Sequence, residues 1–194
     1  MEVSSRTCGP SRQVRGKTGK PSSGTRGKLG MILIGIGSNL AAPPAKTPLE
    51  TAQAALPALA APHLLPFACS SWYESAPVPV SDQPWFVNAV TVIATELEPA
   101  ALLGRMLGVE YRFGRVRGER NAARTLDLDL LDYDGLIVDT PSLTLPHPRL
   151  HQRRFVLEPL CEIAPGWHHP LIGLTAAELL ERLPPGQPVR RLDG

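Results

Sequence analysis

Two aspartates in the second half of the chain, Asp127 and Asp129, are spaced for metal chemistry. They alternate with leucines, which predicts a strand, because successive side chains of a strand point to opposite faces. Leu126, Leu128 and Leu130 would face a core. The two carboxylates would share the other face, about 7 Å apart at ~3.3 Å per residue. Mg²⁺ is commonly bound through one or two such carboxylates together with phosphate oxygens of a substrate.

The stretch just before this acidic pair is rich in arginine and contains Arg112, Arg115, Arg117, Arg120 and Arg124. A planar guanidinium group binds two phosphate oxygens at once, so acids for a metal beside cations for phosphate indicate a phosphoryl-transfer site. A second interpretation stays open, because alternating Leu and Asp is also typical of a half-buried strand with one solvated face. Against it, Asp is depleted in strands, and neighbouring carboxylates repel each other unless a cation neutralises them.

Apolar periodicity and turn residues predict the elements that would position these side chains. The first half should contain a strand from Met31 to a turn at 37–39, a helix over 47–60 capped by Thr47, and strands over 66–75 and 86–95. The second half should contain a helix over 99–112, the acidic-pair strand extending to Tyr133, and a hairpin turn at 134–135 with a return strand over 136–140. A final helix is predicted over 176–183. The order β-α-β-β-α-β predicts an α+β fold with a ferredoxin-like core and C-terminal additions. That fold hosts many functions and identifies none.

Motifs and composition argue against several classes of protein. The first strand contains Gly35-x-Gly37, but neither a P-loop nor a complete dinucleotide fingerprint follows. Three widely spaced cysteines without a Cys-x-x-Cys pair argue against a disulfide framework or a zinc site, and for a reducing compartment. No apolar run approaches the ~20 residues of a membrane span.

The charge of the chain is divided unevenly between its two ends. Residues 1–30 contain seven Lys/Arg and one acid, a net charge of +6, whereas residues 31–194 contain thirteen Lys/Arg and seventeen acids, a net charge of −4. The first segment also lacks large apolar side chains, so we expect a disordered basic extension that precedes one domain over 31–194. We further expect translation to start naturally at or near Met31. The acidic domain argues against nucleic-acid binding.

Four residues outside the acidic stretch have both a binding and a structural interpretation. Asn88 interrupts an apolar strand and is either a satisfied buried amide or a hydrogen-bonding group that sets specificity. His147 lies between two prolines and is either a ligand contact or part of a rigid turn. Phe86 and Phe155 either stack on a ligand or pack in the core. The residues alone favour the structural interpretation for all four.

Seven short motifs, taken in order, resemble the 6-hydroxymethyl-7,8-dihydropterin pyrophosphokinase family over about residues 31–170. They are Ile36–Leu40, Ser71-x-Tyr73 with the Pro77 loop, Gln83–Ala89, Gly114-Arg115-x-Arg117, Arg124–Asp129, Pro146-His147-Pro148 and Arg153-x-Phe155-x-Leu157. The resemblance implies transfer of the β,γ-diphosphate of ATP to the hydroxymethyl oxygen of the pterin, with release of AMP, in folate biosynthesis.

The resemblance also assigns roles by position. Asp127 and Asp129 would hold two Mg²⁺ ions and act with the catalytic Arg115 and Arg124. The remaining assignments are Glu110, Arg117, His147 and Arg153 on the ATP side, Phe86 and Phe155 on the two faces of the pterin, Asn88 at its edge, and the loop residues Ser75, Ala76 and Val78 around it. Phe86 stands where many members have tyrosine. We expect a cytoplasmic monomer that binds these two small molecules and neither nucleic acid nor a membrane.

Two other functions compete with this interpretation. An Asp-x-Asp glycosyltransferase would also bind a metal and a nucleotide, but it usually needs a larger α/β domain than ~164 residues provide. A ferredoxin-like module could bind RNA through the basic extension, but the chain lacks the aromatic strand pattern of such modules.

Overall fold

A computed structural model describes residues 31–60, 64–115 and 122–193. It contains a mixed α+β arrangement of eight strands and four helices within those residues. The strands are β1 Ile32–Ser38, β2 Leu64–Cys69, β3 Tyr73–Ser75, β4 Phe86–Thr95, β5 Asp127–Tyr133, β6 Val138–Asp139, β7 Thr144–Leu145 and β8 Val189–Arg191. The helices are α1 Pro48–Leu59, α2 Pro99–Arg112, α3 Arg154–Ile163 and α4 Ala176–Glu181, and a 3₁₀ turn covers Leu150–Gln152.

Six of the strands form one antiparallel sheet in the order β5-β1-β4-β3-β8, and β2 also pairs with β4. Strands β6 and β7 form a separate two-stranded sheet. The long strands β1 and β4 lie in the middle of the large sheet, where both faces are covered. None of the described helices is long and apolar enough to cross a membrane.

The first hydrophobic core lies between the sheet and helices α1 and α2. Leu126, Leu128 and Leu130 belong to it, together with Leu59 of α1 and Met106 of α2. Burial of each such side chain contributes about 1.5–3 kcal/mol. The leucines that alternate with the aspartates therefore face a core, as the sequence predicts, and they hold β5 in one register because a slip by one residue would expose them.

The second core lies on the opposite face, between the sheet and helices α3 and α4. It contains Leu33 of β1, Leu131 of β5, Leu157 and Leu160 of α3, and Leu179 of α4. Helix α3 therefore packs on the sheet face toward which the aspartates of β5 project. This arrangement leaves space for a site between the carboxylates and the N-terminal end of α3.

Several predicted elements are confirmed at or close to their predicted bounds. The strand over 86–95, the helix over 99–112 and the acidic-pair strand to Tyr133 are β4, α2 and β5. Thr47 caps α1, and its side-chain oxygen accepts a hydrogen bond from the Glu50 backbone N–H at 3.1 Å. The final helix ends at Glu181, two residues before its predicted end.

The prediction of one strand over 66–75 is wrong, because this segment forms the two strands β2 and β3. Ser70 lies between them and bonds to Val90 of β4 both ways: its backbone N–H donates to the carbonyl at 2.9 Å, and its hydroxyl accepts from the N–H at 3.1 Å. A bulge between Pro66 and Ala68 interrupts the ladder further. The side chain of Ser70 thus replaces a regular ladder bond where the chain bends.

The predicted return strand over 136–140 is also wrong, because Val138–Asp139 pairs with β7 and not with β5. The turn itself forms, with φ of 51° at Asp134 and 72° at Gly135. The segment after β7 lies along the outer edge of β5, and there the His147 backbone N–H donates a hydrogen bond to the Leu131 carbonyl at 2.8 Å. Helix α3 and strand β8 were not among the predicted elements.

Candidate functional site

A cavity of about 420 Å³ opens beside the acidic strand, between β1, β4, β5, the start of α3 and the loop after β3. The predicted site residues that line it are Ser75, Ala76, Val78, Phe86, Asn88, Arg124, Asp127, Asp129, Arg153 and Phe155. These residues come from four separate segments of the chain, at 75–78, 86–88, 124–129 and 153–155. The fold therefore gathers most of the predicted site around one space.

The two aspartates face this cavity from β5 and are both partly buried. Across the ladder Asp127 pairs with Gly37 and Asp129 with Gly35 of β1. Because glycine has no side chain, β1 adds none beside the two carboxylates. The expected geometry, with both acids on one sheet face and open to a shared cavity, is thus observed.

Three arginines neutralise the acidic pair. Arg124 Nη1 lies 2.5 Å from Asp127 Oδ2, and Arg115 Nη1 lies 2.6 Å from Asp127 Oδ1. Arg153 Nη1 lies 2.9 Å from Asp129 Oδ2. All three guanidinium groups are partly exposed, so they can turn from carboxylate to phosphate oxygens without leaving the site. Arg117 was predicted on the same side and lies outside the described residues.

Asn39 holds Arg124 in place, although it was not among the predicted site residues. The Asn39 Oδ1 accepts a hydrogen bond from the Arg124 backbone N–H at 2.7 Å, and the Asn39 backbone N–H donates to the Arg124 carbonyl at 3.1 Å. The Asn39 amide also donates to Gln83 Oε1 at 3.2 Å and to the Pro84 carbonyl at 3.3 Å. The signal in the sequence was a polar residue in the turn directly after an apolar strand.

Glu110 lies behind β5 and is buried, with a relative exposure of 3%. Its Oε1 accepts a hydrogen bond from the Leu128 N–H at 2.8 Å and contacts Arg115 Nη1. Burial raises the pKa of Glu110, although the Leu128 N–H and the Arg115 charge oppose this shift. Glu110 does not line the cavity; it anchors the acidic strand and one of its arginines.

His147 lies at the edge of the same site, with its Nε2 3.9 Å from Asp129 Oδ2. Its Nδ1 accepts a hydrogen bond from the Arg149 N–H at 3.1 Å, which assigns the proton of the neutral ring to Nε2. Burial lowers the pKa of His147, and the charges of Arg153 and Arg149 lower it further, against the effect of Asp129. A neutral imidazole with its N–H toward the cleft can donate to a ligand oxygen.

The other end of the cavity is aromatic. Phe86 and Phe155 both line it, and the Arg153 guanidinium carbon lies 5.4 Å from the centre of the Phe155 ring. The buried Asn88 amide donates to Ser75 Oγ at 2.9 Å and to the Phe86 carbonyl at 3.3 Å. Two aromatic rings beside a hydrogen-bonding amide suit a planar heterocycle, which can stack on the rings and form hydrogen bonds at its edge. Both interpretations of Asn88 thus find support, because it is satisfied and also faces the cavity.

Several other side chains that line the cavity were not among the predicted site residues. They are Gln83, Leu131, Arg149, Gln152, Val156 and Gln187. Gln83 belongs to one of the resembling motifs, which could have pointed to it. Gln187 lies far along the chain in a segment without any recognisable motif.

The donor set of the site fits magnesium better than zinc. Among the described residues, no three His, Cys, Asp or Glu side chains are grouped to hold a metal ion. Zinc usually takes three or four protein ligands of the nitrogen or sulfur type. Magnesium keeps several waters and takes one or two carboxylates together with substrate phosphates, which agrees with Asp127 and Asp129 beside three arginines.

Comparison with known proteins gives a consistent result. The family described as 7,8-dihydro-6-hydroxymethylpterin-pyrophosphokinase matches residues 33–165. A 2-amino-4-hydroxy-6-hydroxymethyldihydropteridine pyrophosphokinase from Pseudomonas aeruginosa is 40% identical over 161 residues, which are 79% of this chain and 96% of that protein. The enzyme of the same description from Synechocystis is 43% identical over 59% of this chain, and the match spans 58% of the Synechocystis protein.

Solved structures show the same fold at low sequence identity. The wild-type HPPK-DHPS of Plasmodium falciparum superposes with a TM-score of 0.62 at 12% identity, over 80% of this chain and 45% of that chain. The match at this identity concerns the fold alone. It agrees with the mixed α+β arrangement described above.

Proposed function

The chain belongs to the 7,8-dihydro-6-hydroxymethylpterin-pyrophosphokinase family of folate-biosynthesis diphosphokinases, and we propose that it transfers the diphosphate of ATP to 6-hydroxymethyl-7,8-dihydropterin. The products are the pterin diphosphate and AMP. The observation that carries the proposal is one cavity with two aspartates and their arginines at one end and two phenylalanine rings at the other. Neither a glycosyltransferase nor an RNA-binding module accounts for the family match.

The acidic end of the cavity suits the triphosphate of ATP. Asp127 and Asp129 would hold two Mg²⁺ ions, which neutralise the phosphate oxygens and lower the barrier to attack on the β-phosphorus. Arg115, Arg124 and Arg153 would bind phosphate oxygens, and this set is supported by their contacts with the two aspartates. We assign Arg117 to the same side by resemblance.

Two residues further from the metal pair complete the ATP side. His147 is held by its backbone and by its Nδ1, so that its Nε2–H can donate to ATP. Glu110 would act on the nucleotide side through Arg115, which it contacts directly. We propose no general base, because Mg²⁺ held by Asp127 and Asp129 would activate the attacking hydroxyl.

The aromatic end of the cavity suits the pterin. Phe86 and Phe155 would stack on its two faces, and the Asn88 amide would read the hydrogen-bonding groups at its edge. The loop with Ser75, Ala76 and Val78 would close the remaining side. The hydroxymethyl group would then point from the aromatic end toward the metal pair.

The remaining parts of the proposal concern architecture and context. We assign a ferredoxin-like core to β1, α1, β2 with β3, β4, α2 and β5, supported by their chain order and by the antiparallel sheet order β5-β1-β4 with β2 and β3 beyond. We also propose that the protein is a monomer. A cytoplasmic location is supported by the free Cys69 and Cys161.

The test is AMP release from ATP and Mg²⁺ in the presence and absence of the hydroxymethyl-dihydropterin. We expect Asp127→Asn and Asp129→Asn each to lower kcat by about 1,000-fold or more, because each removes a metal ligand worth several kcal/mol. The matched control is Asp139→Asn, an exposed aspartate outside the cavity. Wild-type turnover by either site variant with an unchanged circular dichroism spectrum, or release of ADP in place of AMP, would contradict the proposal.

A further inference from the structure

The C-terminal strand contributes to the cavity wall although it lies beyond the part of the chain that matches the family, which ends at residue 165. Strand β8 pairs with β3, with Val189 opposite Ser75 and Arg191 opposite Tyr73. Gln187 lines the cavity and is partly buried, whereas its neighbours at 184–186 and 188 are exposed. Its side chain is therefore directed into the structure at a point where the surrounding backbone is solvated.

The C-terminal segment binds both backbone polar groups of Ala76. The Ala76 N–H donates to the Pro188 carbonyl at 3.2 Å, and the Gln187 Nε2 donates to the Ala76 carbonyl at 3.2 Å. Ala76 begins the loop that continues through Pro77, Val78 and Pro79 along the aromatic end of the cavity. This hydrogen-bonded pair fixes the direction in which the loop leaves β3.

A second set of contacts fastens the same strand to the other side of the aromatic end. Arg190 Nε and Nη2 donate to Glu74 Oε2 at 2.8 and 2.5 Å. The Arg190 guanidinium carbon also lies 5.3 Å from the centre of the Trp85 ring, and Trp85 directly precedes the stacking residue Phe86. Strand β8 thus joins the two segments that surround the aromatic end.

We propose that Gln187 is a positioning residue for the pterin, which acts by holding the Ala76 carbonyl and so the loop over 76–79. This inference rests on the proposed function, because it assigns the ligand to the aromatic end. One hydrogen bond of this kind changes an equilibrium constant by about 3–10-fold. Gln187 therefore acts on pterin affinity and leaves the ATP side, formed by other segments, unchanged.

Two variants test the hydrogen bond. Gln187→Ala removes the side chain, and Gln187→Glu keeps its shape but has no N–H to donate to the carbonyl. We expect each to raise the Kd and KM for the hydroxymethyl-dihydropterin about 3–10-fold, with kcat and the KM for ATP within two-fold of wild type. The matched control is Gln53→Ala on the exposed face of α1. Unchanged pterin affinity, or an equal rise in both KM values, would overturn the proposal.

A second readout does not depend on activity. Backbone hydrogen exchange over residues 76–80 should quicken about 3–10-fold in both Gln187 variants, because the loop loses a restraint on its opening. Wild-type protein that fails to bind the pterin would refute the proposed function. In that case the exchange rates still decide whether Gln187 positions the loop, and unchanged rates would show that it does not.

Discussion

At the scale of single residues, the site depends on side chains that do not touch the substrate. Asn39 fixes the backbone of Arg124 from both sides, and Glu110 holds Arg115 together with the N–H of Leu128. Both holding residues are buried. Under the proposed function each guanidinium must lie within a fraction of an ångström of its phosphate target, so a change at Asn39 or Glu110 should displace the arginines from that position.

Asn39 gives a prediction at this scale. Asn39→Ala should lower kcat/KM by about 10–100-fold, because Arg124 loses the acceptor of its backbone N–H. The variant should also lower the free energy of unfolding by about 1 kcal/mol, because partly buried polar groups of Arg124 and of the segment at 83–84 lose hydrogen-bond partners. Steady-state kinetics and urea unfolding measure the two effects.

The variant Asn39→Asp distinguishes the hydrogen bond to Arg124 from the hydrogen bonds to Gln83 and Pro84. It keeps an oxygen for the Arg124 N–H but loses the amide that donates to Gln83 and Pro84. We expect it to retain more activity than the alanine variant. Equal activity of Asn39→Ala and wild type would show that Arg124 needs no such support.

The sequence predicted part of the site at this scale. The spacing of Asp127 and Asp129 implied a shared face, and the observed register agrees with it. Phe86, Phe155 and His147 were selected by resemblance, because their residue types alone favour core or turn packing. Gln187 could not be found, since 111 positions separate it from the carbonyl that it binds.

At the scale of elements, helix α3 carries Phe155 and must be fixed against the sheet. Its C-terminal part is joined to the chain between β2 and β3 by Glu162, which accepts hydrogen bonds from Ser71 Oγ at 2.9 Å and from Tyr73 Oη at 3.0 Å. Partial burial alone would raise the pKa of Glu162. The hydrogen bonds from Ser71 and Tyr73, including the Ser71 backbone N–H, outweigh that effect, so the pKa of Glu162 is lowered. Burial and the contact with Glu162 raise the pKa of Tyr73 to about 12.

The segment between α3 and α4 carries a buried histidine. His169 has a relative exposure of 3%, and its Nδ1 accepts a hydrogen bond from the Leu171 N–H at 3.2 Å. Its Nε2 has no hydrogen-bond partner among the described residues, and the His151 ring lies edge-on at 5.5 Å between centres. Burial, followed by the proximity of His151, lowers the pKa of His169 below its ordinary value of 6.5.

This histidine predicts a loss of stability in acid. Because the folded-state pKa is lower than the unfolded-state pKa, the unfolded chain binds more protons as the pH falls below 6.5. The free energy of unfolding should therefore fall as the pH is lowered from 7.5 to 5.5. His169→Asn, whose side-chain oxygen can replace Nδ1 as acceptor, should reduce that fall.

Urea unfolding of the wild type and the variant at both pH values measures the difference. The variant His168→Asn, at the exposed neighbouring position, supplies the control for the substitution itself. A wild-type fall that persists in full in His169→Asn would assign the acid sensitivity to other groups.

Elements with strong local patterns were predictable, whereas those made by distant pairing were not. Strand β4 and helix α2 have continuous apolar or periodic patterns, and their bounds were found. Strand β8 has three residues and exists through its pairing with β3, more than a hundred positions away. Helix α3 contains Pro159, which normally argues against a helix interior.

At the scale of the whole molecule, one sheet separates two cores, and the site lies on the face of α3. The cavity is bounded by segments from both ends of the described chain, since β1 supplies Gly35 and Gly37 and the C-terminal segment supplies Gln187. Residues 1–30 lie outside the described residues. We propose, on composition, that they are dispensable for the domain over 31–194.

This proposal predicts the effect of a deletion. A protein that starts at Met31 loses a net charge of +6 and should keep its midpoint of thermal unfolding and its kcat within experimental error. Scanning calorimetry and the AMP-release assay compare it with the full chain. Loss of folding or of activity on deletion would show that the extension contributes to the domain.

The pairing of Asp127 and Asp129 with arginines has a consequence for how ATP binding responds to salt. Asp127, Asp129 and the buried Glu110 behind the strand contact Arg115, Arg124 and Arg153, and Arg149 adds a further positive charge to the cavity lining. Under the proposed function, Asp127 and Asp129 would exchange arginine contacts for metal, and the arginines would exchange carboxylate for phosphate oxygens. Because these carboxylates already neutralise most of the arginine charge, ATP affinity should vary less with ionic strength than in a basic cleft without acidic partners.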